Sequence, residues 1–385
     1  MAGIILCRKR NNGLNNGSGL GDIIYIYIER NSKTEFYYHT NISIKLKCVR
    51  KRLVGILYFS DFVYVISNIS QNFVMKFKEI VNKGMAEEKE SHKVNYEWKI
   101  IWRHVIIFIY IHLATIYGLY LAFHYANLLT FMWFLSFGIV SGIGTTAGAH
   151  RLWCHRSYKA KFPMRLILIT FHTMACQNNI YEWVRDHRVH HKFTDTDADP
   201  YNARRGFFFS HIGWLMLRKH PEVIKKGAMI DMSDLERDPL VVFQRKWYIY
   251  LTLLLSFIMP TIIPWMWGEN LWYVWHYTVA KFCINLHATW SVNSVAHMWG
   301  VKPFNKSITP TDNAGVSFFT FGEGWHNYHH VFPWDYKAAE LGNYWLNFTT
   351  AFIDFCTYIG LAYDLKTTSA DMVKKRVVRS NEMSY

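Results

Sequence analysis

Cysteine is scarce in this 385-residue chain and follows no pattern. The six residues, Cys7, Cys48, Cys154, Cys176, Cys283 and Cys356, contain no C-x2-C pair and no regular frame. That argues against a disulfide scaffold and against a cysteine-built zinc site. Charge is also thin, at 18% of residues, and unbalanced: 43 Lys and Arg stand against 28 Asp and Glu, a formal net charge of +15. No recognisable nucleic-acid-binding module accompanies the basic excess, so no nucleic-acid partner is expected. Two readings are left, topogenic charge beside anionic lipid, or an anionic substrate or acidic protein partner. A cleaved signal peptide fits poorly as well. The first apolar stretch, 53–67, lies far into the chain, is interrupted by Asp61, and precedes no small-residue cleavage site.

Apolar residues are abundant and grouped. They make up 51% of the chain, with 17% aromatic. Four stretches, 105–125, 128–149, 247–267 and 271–293, each have the length of about 20 residues that crosses a hydrocarbon core of roughly 30 Å. The connections 124–127 and 268–270 are too short for a domain, so the stretches pair into two hairpins. His112, His124, His276, Lys281, Asn285 and His287 fall in or near them, and such groups are expected to face protein or a cavity. The segment 151–246 carries 17 Lys and Arg against 10 Asp and Glu, and neither short connection carries Lys or Arg. By the positive-inside rule that segment and both termini are cytosolic. The fold class expected is an all-α integral membrane protein with four transmembrane helices. Residues 1–84 read as an extension of unknown role, expected to be poorly ordered. Residues 85–365 form the working domain and 366–385 a cytosolic tail.

Three histidine clusters carry the chemistry: His150 with His155, then His187, His190 and His191, then His326, His329 and His330. Residues at i, i+3 and i+4 share a helix face, so each H-x2-H-H triplet converges on one side. His150 and His155 are five apart, roughly 140° around an ideal helix, and need a helix end or a distortion to point at one site. Asn293 and His297, at i and i+4, close the fourth apolar stretch and add one amide and one imidazole. A structural zinc site needs four ligands and usually uses cysteine. A mononuclear non-haem iron site normally shows two histidines and a carboxylate. Nine nitrogen ligands fit two irons with positions open for oxygen. Cys154, inside the first cluster, reads as a small filler. Glu182, Asp186, Asp195, Asp197, Asp199 and Glu323 are candidate acceptors that would orient the rings. The histidines His39, His92, His112, His124, His211, His220 and His276 read as satisfied or surface polar groups, and His172 and His287 as core.

The motifs His150-Arg-Leu-Trp-Cys-His155, Asp186-His-Arg-Val-His-His191 and Trp325-His-Asn-Tyr-His-His330 resemble the three histidine boxes of membrane acyl-CoA desaturases of the stearoyl-CoA Δ9 type and their insect Δ9/Δ11 relatives. The likeness runs from about residue 96 to 365. It includes Thr146-Ala-Gly-Ala-His150, Tyr181-Glu-Trp183, Arg204-Arg-Gly-Phe-Phe-Phe-Ser-His211, and Asn347-Phe-Thr-Thr350. The resemblance implies four transmembrane helices under a cytosolic helical cap, in the endoplasmic reticulum membrane. It implies two iron ions held by the nine histidines, with Asn293 acting through a water. It implies O2-dependent introduction of a cis double bond into a saturated fatty acyl-CoA, Δ9 by default and Δ11 as the rival. Electrons would come from cytochrome b5 and NADH–cytochrome b5 reductase. The chain has no haem-binding H-P-G-G stretch, so the cytochrome would be a separate protein; basic residues such as Lys159 and Lys161 could meet it. By the same resemblance Asn178, Arg185, Asp186, Arg218 and Lys219 would bind the CoA moiety, and Gln177, Trp183, Thr289 and Trp290 would shape the tunnel kink.

Two departures stand out. The family's Trp-Arg-Asn is Trp102-Arg103-His104 here, which puts one CoA contact in question. Its Gln-Asn-Asp is Gln177-Asn178-Asn179, which removes a charge beside the tunnel. Gly138 and Gly142 occupy places where relatives can carry larger residues. They read either as a deeper tunnel or as a G-x3-G helix contact.

Overall fold

A computed structural model describes residues 4–9, 23–30, 33–36, 97–340 and 343–382. The chain divides into two units, Met1–Glu79 and Ile80–Tyr385. In the first, β1 (Ile4–Lys9) pairs antiparallel with β2 (Ile23–Arg30), which pairs antiparallel with β3 (Lys33–Phe36). The Ile and Tyr of β2 suit a pleated strand. Apart from these strands, residues 1–84, expected as a poorly ordered extension, lie outside the described residues.

The second unit is helical. α1 (Trp102–Tyr125) is followed by α2 (Leu128–Ile143), which runs on without a break as a π-helical segment, Gly144–Cys154. α3 (Phe162–Ala175) and α4 (Ile180–Phe193) come next. α5 (Pro239–Thr252) continues through a second π segment, Leu253–Ile258, into α6 (Met259–Met266). α7 (Leu271–Met298) is the longest, at 28 residues, and α8 (His326–Val331) and α9 (Phe348–Tyr358) follow. The ends are set by side chains that accept from free helical N–H groups: Asn127 for α2, Asp238 for α5 and Asn270 for α7. The Asn127 N–H donates to Glu269 at 3.1 Å and the Thr130 hydroxyl to the same carboxylate at 2.5 Å, which ties the two short connections together.

Among the described residues three helices are long and apolar enough to cross a membrane: Trp102–Tyr125, Leu128–Cys154 and Pro239–Met266. The sequence reading expects four. α7 has the length, but its polar residues dilute its apolarity. Those residues are spent on packing. Asn285 donates to the Gly138 carbonyl and to Ser141 on α2, at 3.2 and 2.6 Å. Lys281 is buried with its ammonium 4.3 Å from the Phe137 ring centre. α7 lies along α1 and also touches α2 and α6.

Beneath the first π segment is a core of Ala147, Trp153, Tyr158, Leu168, Ile180, Val184, Leu235 and Ile353. It locks the segment against α3, α4 and α9. The tail forms α10 (Ala370–Glu382), whose Val373 packs on Phe304, Tyr328 and Phe332. Arg376 donates to the Phe304 carbonyl at 2.8 Å.

Candidate metal centre

The π segment answers the spacing problem of the first cluster. The His155 N–H donates to the His150 carbonyl at 3.1 Å, a bond across five residues. That wider turn brings i and i+5 to one side, as the sequence spacing required. The two rings lie 4.8 Å apart. α4 presents His187, His190 and His191 from its last two turns, and its start is fixed by Asn179, which accepts from the Glu182 N–H at 3.0 Å. α7 delivers His297 from its last turn, and α8 carries His326, His329 and His330.

All nine imidazoles meet, and they divide into two groups. His150, His155, His187, His191 and His329 offer donor atoms within 4.8 Å of one another; so do His190, His297, His326 and His330. The two triplets straddle the groups: α4 sends His187 and His191 to one and His190 to the other. Nε2 atoms face each other at 2.9 Å (His150–His329), 3.1 Å (His187–His191), 3.0 Å (His191–His329) and 3.0 Å (His297–His326).

The far ring nitrogens set which lone pairs point inward. His150 Nδ1 lies 2.6 Å from Glu323, and His190 Nδ1 lies 2.8 Å from Asp199. His297 Nδ1 meets the Thr309 hydroxyl at 2.9 Å, which donates to Asp195 at 2.6 Å. An Nδ1–H held by an acceptor leaves the Nε2 lone pair facing the group, which is how proteins prepare imidazole for a metal. His155 Nε2 is buried with no hydrogen-bond partner among the described residues. The donor set therefore fits two metal ions, five nitrogens beside one and four beside the other. Burial, and then the neighbouring imidazoles, hold His155, His187, His191, His326, His329 and His330 well below the ordinary value of 6.5, so they stay neutral.

Of the six candidate acceptors, Glu323, Asp199 and, through Thr309, Asp195 serve the rings. The other three are used elsewhere: Glu182 pairs with Arg185, Asp186 with Lys219 and Arg185, and Asp197 with Arg205. Sequence reasoning missed Arg151 and Thr309. Arg151 is almost fully buried and holds Glu323 from Nη2 at 2.8 Å, Asn347 at 3.1 Å and Thr350 at 3.0 Å. Burial alone would raise Glu323; Arg151 and His150 outweigh it and hold the carboxyl down at about 2. Arg151 sits inside the first box and two of its partners, Asn347 and Thr350, inside Asn347-Phe-Thr-Thr350, a pairing only the fold reveals. Cys154 belongs to neither histidine group, in keeping with a filler.

Against this centre lies a cavity of about 1800 Å3, lined mostly by apolar residues of α1, α2 and α7. Its wall includes His104, Gln177, Asn178, Trp183, Asp186, Lys219, Thr289, Trp290 and Asn293; Arg185 and Arg218 lie outside the lining. Gln177 donates to Thr289 at 2.7 Å across it, and Trp183 stacks on His187. His104 Nδ1 is 2.7 Å from the Leu215 carbonyl. Asn179 is not in the wall. The sequence reading places it beside the tunnel, whereas here it caps α4, a task Asn and Asp perform equally. The two glycines differ. A Cβ at Gly142 would meet the Phe321 ring at 2.4 Å, but one at Gly138 would find only Asn285, at 3.5 Å.

Long apolar helices, a buried all-nitrogen centre able to bind metal and an apolar cavity against it define the class as a membrane-associated, metal-binding protein. Comparison with known proteins narrows the class. The family model for fatty acid desaturases matches residues 127–340. The acyl-CoA Delta-9 desaturase of Acheta domesticus is 57% identical over 78% of this chain and 84% of its own length. The Acheta domesticus acyl-CoA Delta12-desaturase is 54% identical over 80% of this chain and 86% of its own length. The acyl-CoA Delta(11) desaturase of Spodoptera littoralis is 50% identical, over 77% and 91%. The chain belongs to the fatty acid desaturase family.

Proposed function

We propose that this protein is an O2-dependent acyl-CoA desaturase that places a cis double bond in a saturated long-chain acyl-CoA, at position 9, with position 11 as the alternative. The observation that carries the reading is the centre of nine convergent imidazoles beside an apolar cavity of about 1800 Å3. Two irons are the metals proposed, with His150, His155, His187, His191 and His329 on one and His190, His297, His326 and His330 on the other. The second set is one donor short of the first, and Asn293, in the same cavity wall, supplies the balance through a water. Bound iron would supply the oxygen activation needed to remove two hydrogens from unactivated methylenes. Imidazole suits that task because thiolates would themselves be oxidised.

The chain's own residues do the positioning. Asn178, Asp186 and Lys219 line the cavity, and with Arg185 and Arg218 beside them in the chain they suit a CoA head group. The Gln177–Thr289 bond, with Trp183 and Trp290, sets the bend that would select a cis product. α7 is proposed as the fourth span, its polar face turned onto α1, α2 and the cavity rather than lipid. The positive-inside charge of 151–246 supports a reading in which the centre and both termini lie on the cytosolic side of the endoplasmic reticulum membrane. There cytochrome b5, reduced by its NADH-dependent reductase, would deliver electrons.

Relatives named for positions 9, 11 and 12 match this chain about equally, so position rests on few residues. Expression in desaturase-deficient yeast, followed by location of the double bonds in the fatty acids formed, reads it directly. New bonds at position 9 or 11 support the proposal, and none at either refutes it. The same profile tests the space left at Gly138. Strict preference for C14 or shorter chains would rule out a deeper tunnel.

A further inference from the structure

His112, His287 and His211 lie outside the nine-histidine centre and are joined to one another. His112, on α1, donates from Nδ1 to the Phe108 carbonyl at 2.6 Å and turns Nε2 to His287 Nε2 at 3.1 Å. His287, on α7, meets His211 Nε2 through Nδ1 at 2.9 Å. His211 Nδ1 meets the Ser294 hydroxyl at 2.8 Å, and Ser294 donates to the Trp290 carbonyl at 2.9 Å.

This chain begins and ends on backbone carbonyls, which can only accept. It makes five contacts, while three neutral imidazoles and one hydroxyl bring four protons. One contact must lack a proton. Donation outward from Ser294, His211 and His287 in turn, and from His112 to Phe108, leaves the deficit between His112 Nε2 and His287 Nε2. Two lone pairs face each other there, at the separation seen within the nine-histidine centre. A third donor stands beside the gap: Cys283, one turn before His287 on α7 and buried, whose sulfur lies within 4.8 Å of the imidazole donors of His112 and His287.

We propose that His112, Cys283 and His287 form a second metal site, for one cation of the zinc(II) or copper(I) class, clamping α1 to α7 beside the acyl cavity. A thiolate with two imidazoles selects such ions over iron. The Cys283 thiol releases its proton as the metal–sulfur bond forms. The carbonyl on His112 and the imidazole on His287 hold both Nε2 lone pairs inward.

Cobalt(II) is the probe, because a cobalt–thiolate bond absorbs in the near ultraviolet and an all-histidine centre does not. Purified full-length protein loaded with cobalt is expected to show that charge-transfer band. Cys283→Ser should abolish it and lower bound cobalt by one ion per chain, while His190→Ala, which damages the main centre, should leave the band in place. No band in the native protein, or a band that survives Cys283→Ser, overturns the proposal. Should Cys283→Ser fail to fold, His112→Asn on the other helix carries the same test, and persistence of the band there is equally fatal.

Discussion

At the scale of single residues, the centre depends on the groups behind the ligands as much as on the ligands. Glu323 orients His150 and neutralises Arg151, both deeply buried. Glu323→Gln should lower metal affinity or desaturation about 10–100-fold, the usual cost of losing a carboxylate behind a metal-binding histidine. It should also destabilise the fold by about 3–5 kcal/mol, because the Arg151 guanidinium is left buried without its counter-charge. Iron content and thermal unfolding measure the two effects; unchanged iron would remove Glu323 from the account. The depressed histidines predict a pH dependence. Six of them refuse protons in the folded state that the unfolded chain takes up below its ordinary value of 6.5. The unfolded state then binds more protons, so stability falls as pH drops below that value. Melting temperature that stays flat from pH 7.5 to 5.5 would contradict this.

Much of this scale was legible in the sequence. The convergence of the nine histidines follows from their spacing, because i, i+3 and i+4 carry their own geometry; Asn293, named with them, lies in the cavity wall. Arg151 and Thr309 were not, since nothing in a sequence says that residue 151 will reach 323 and 347. Taken one at a time, His112 and His211 read as satisfied or surface polar groups and His287 as core. Only their assembly across α1, α7 and the short helix Phe207–His211 exposes the missing proton.

At the scale of elements, the π segment is the device that makes H-x4-H workable. It also brings the chain close to α3. A Cβ at Gly144 would lie 2.1 Å from the His172 backbone nitrogen and 2.3 Å from the Phe171 carbonyl carbon. Backbone cannot move aside, so Gly144→Ala should destabilise by about 1–3 kcal/mol or more, with metal loss following the shift of His150. Gly138→Ala should cost little stability and change the chain-length profile instead. Equal stability of the two variants, read by detergent-solubilised melting, would contradict the packing described. The sequence marked the need for a distortion here but not its kind. The third apolar helix likewise begins at Pro239, ahead of the apolar run that signals it, because a capping aspartate and a proline start helices that hydropathy does not see.

At the scale of the whole molecule, metal, cavity and apolar helices belong to one function, and α7 links all three. It supplies His297 to the centre, Thr289 and Trp290 to the cavity wall, and Asn285 and Lys281 to the helix packing. Those polar duties lower its apolarity below that of the other long helices. The central claim is that the convergent imidazoles hold the irons that desaturate an acyl chain. The most direct test measures iron per chain and new double bonds together, in native protein and His190→Ala expressed in desaturase-deficient yeast. The account predicts about two irons and new cis-unsaturated chains for the native protein, with less iron and no product for His190→Ala. Product formation by His190→Ala at the native level would contradict it.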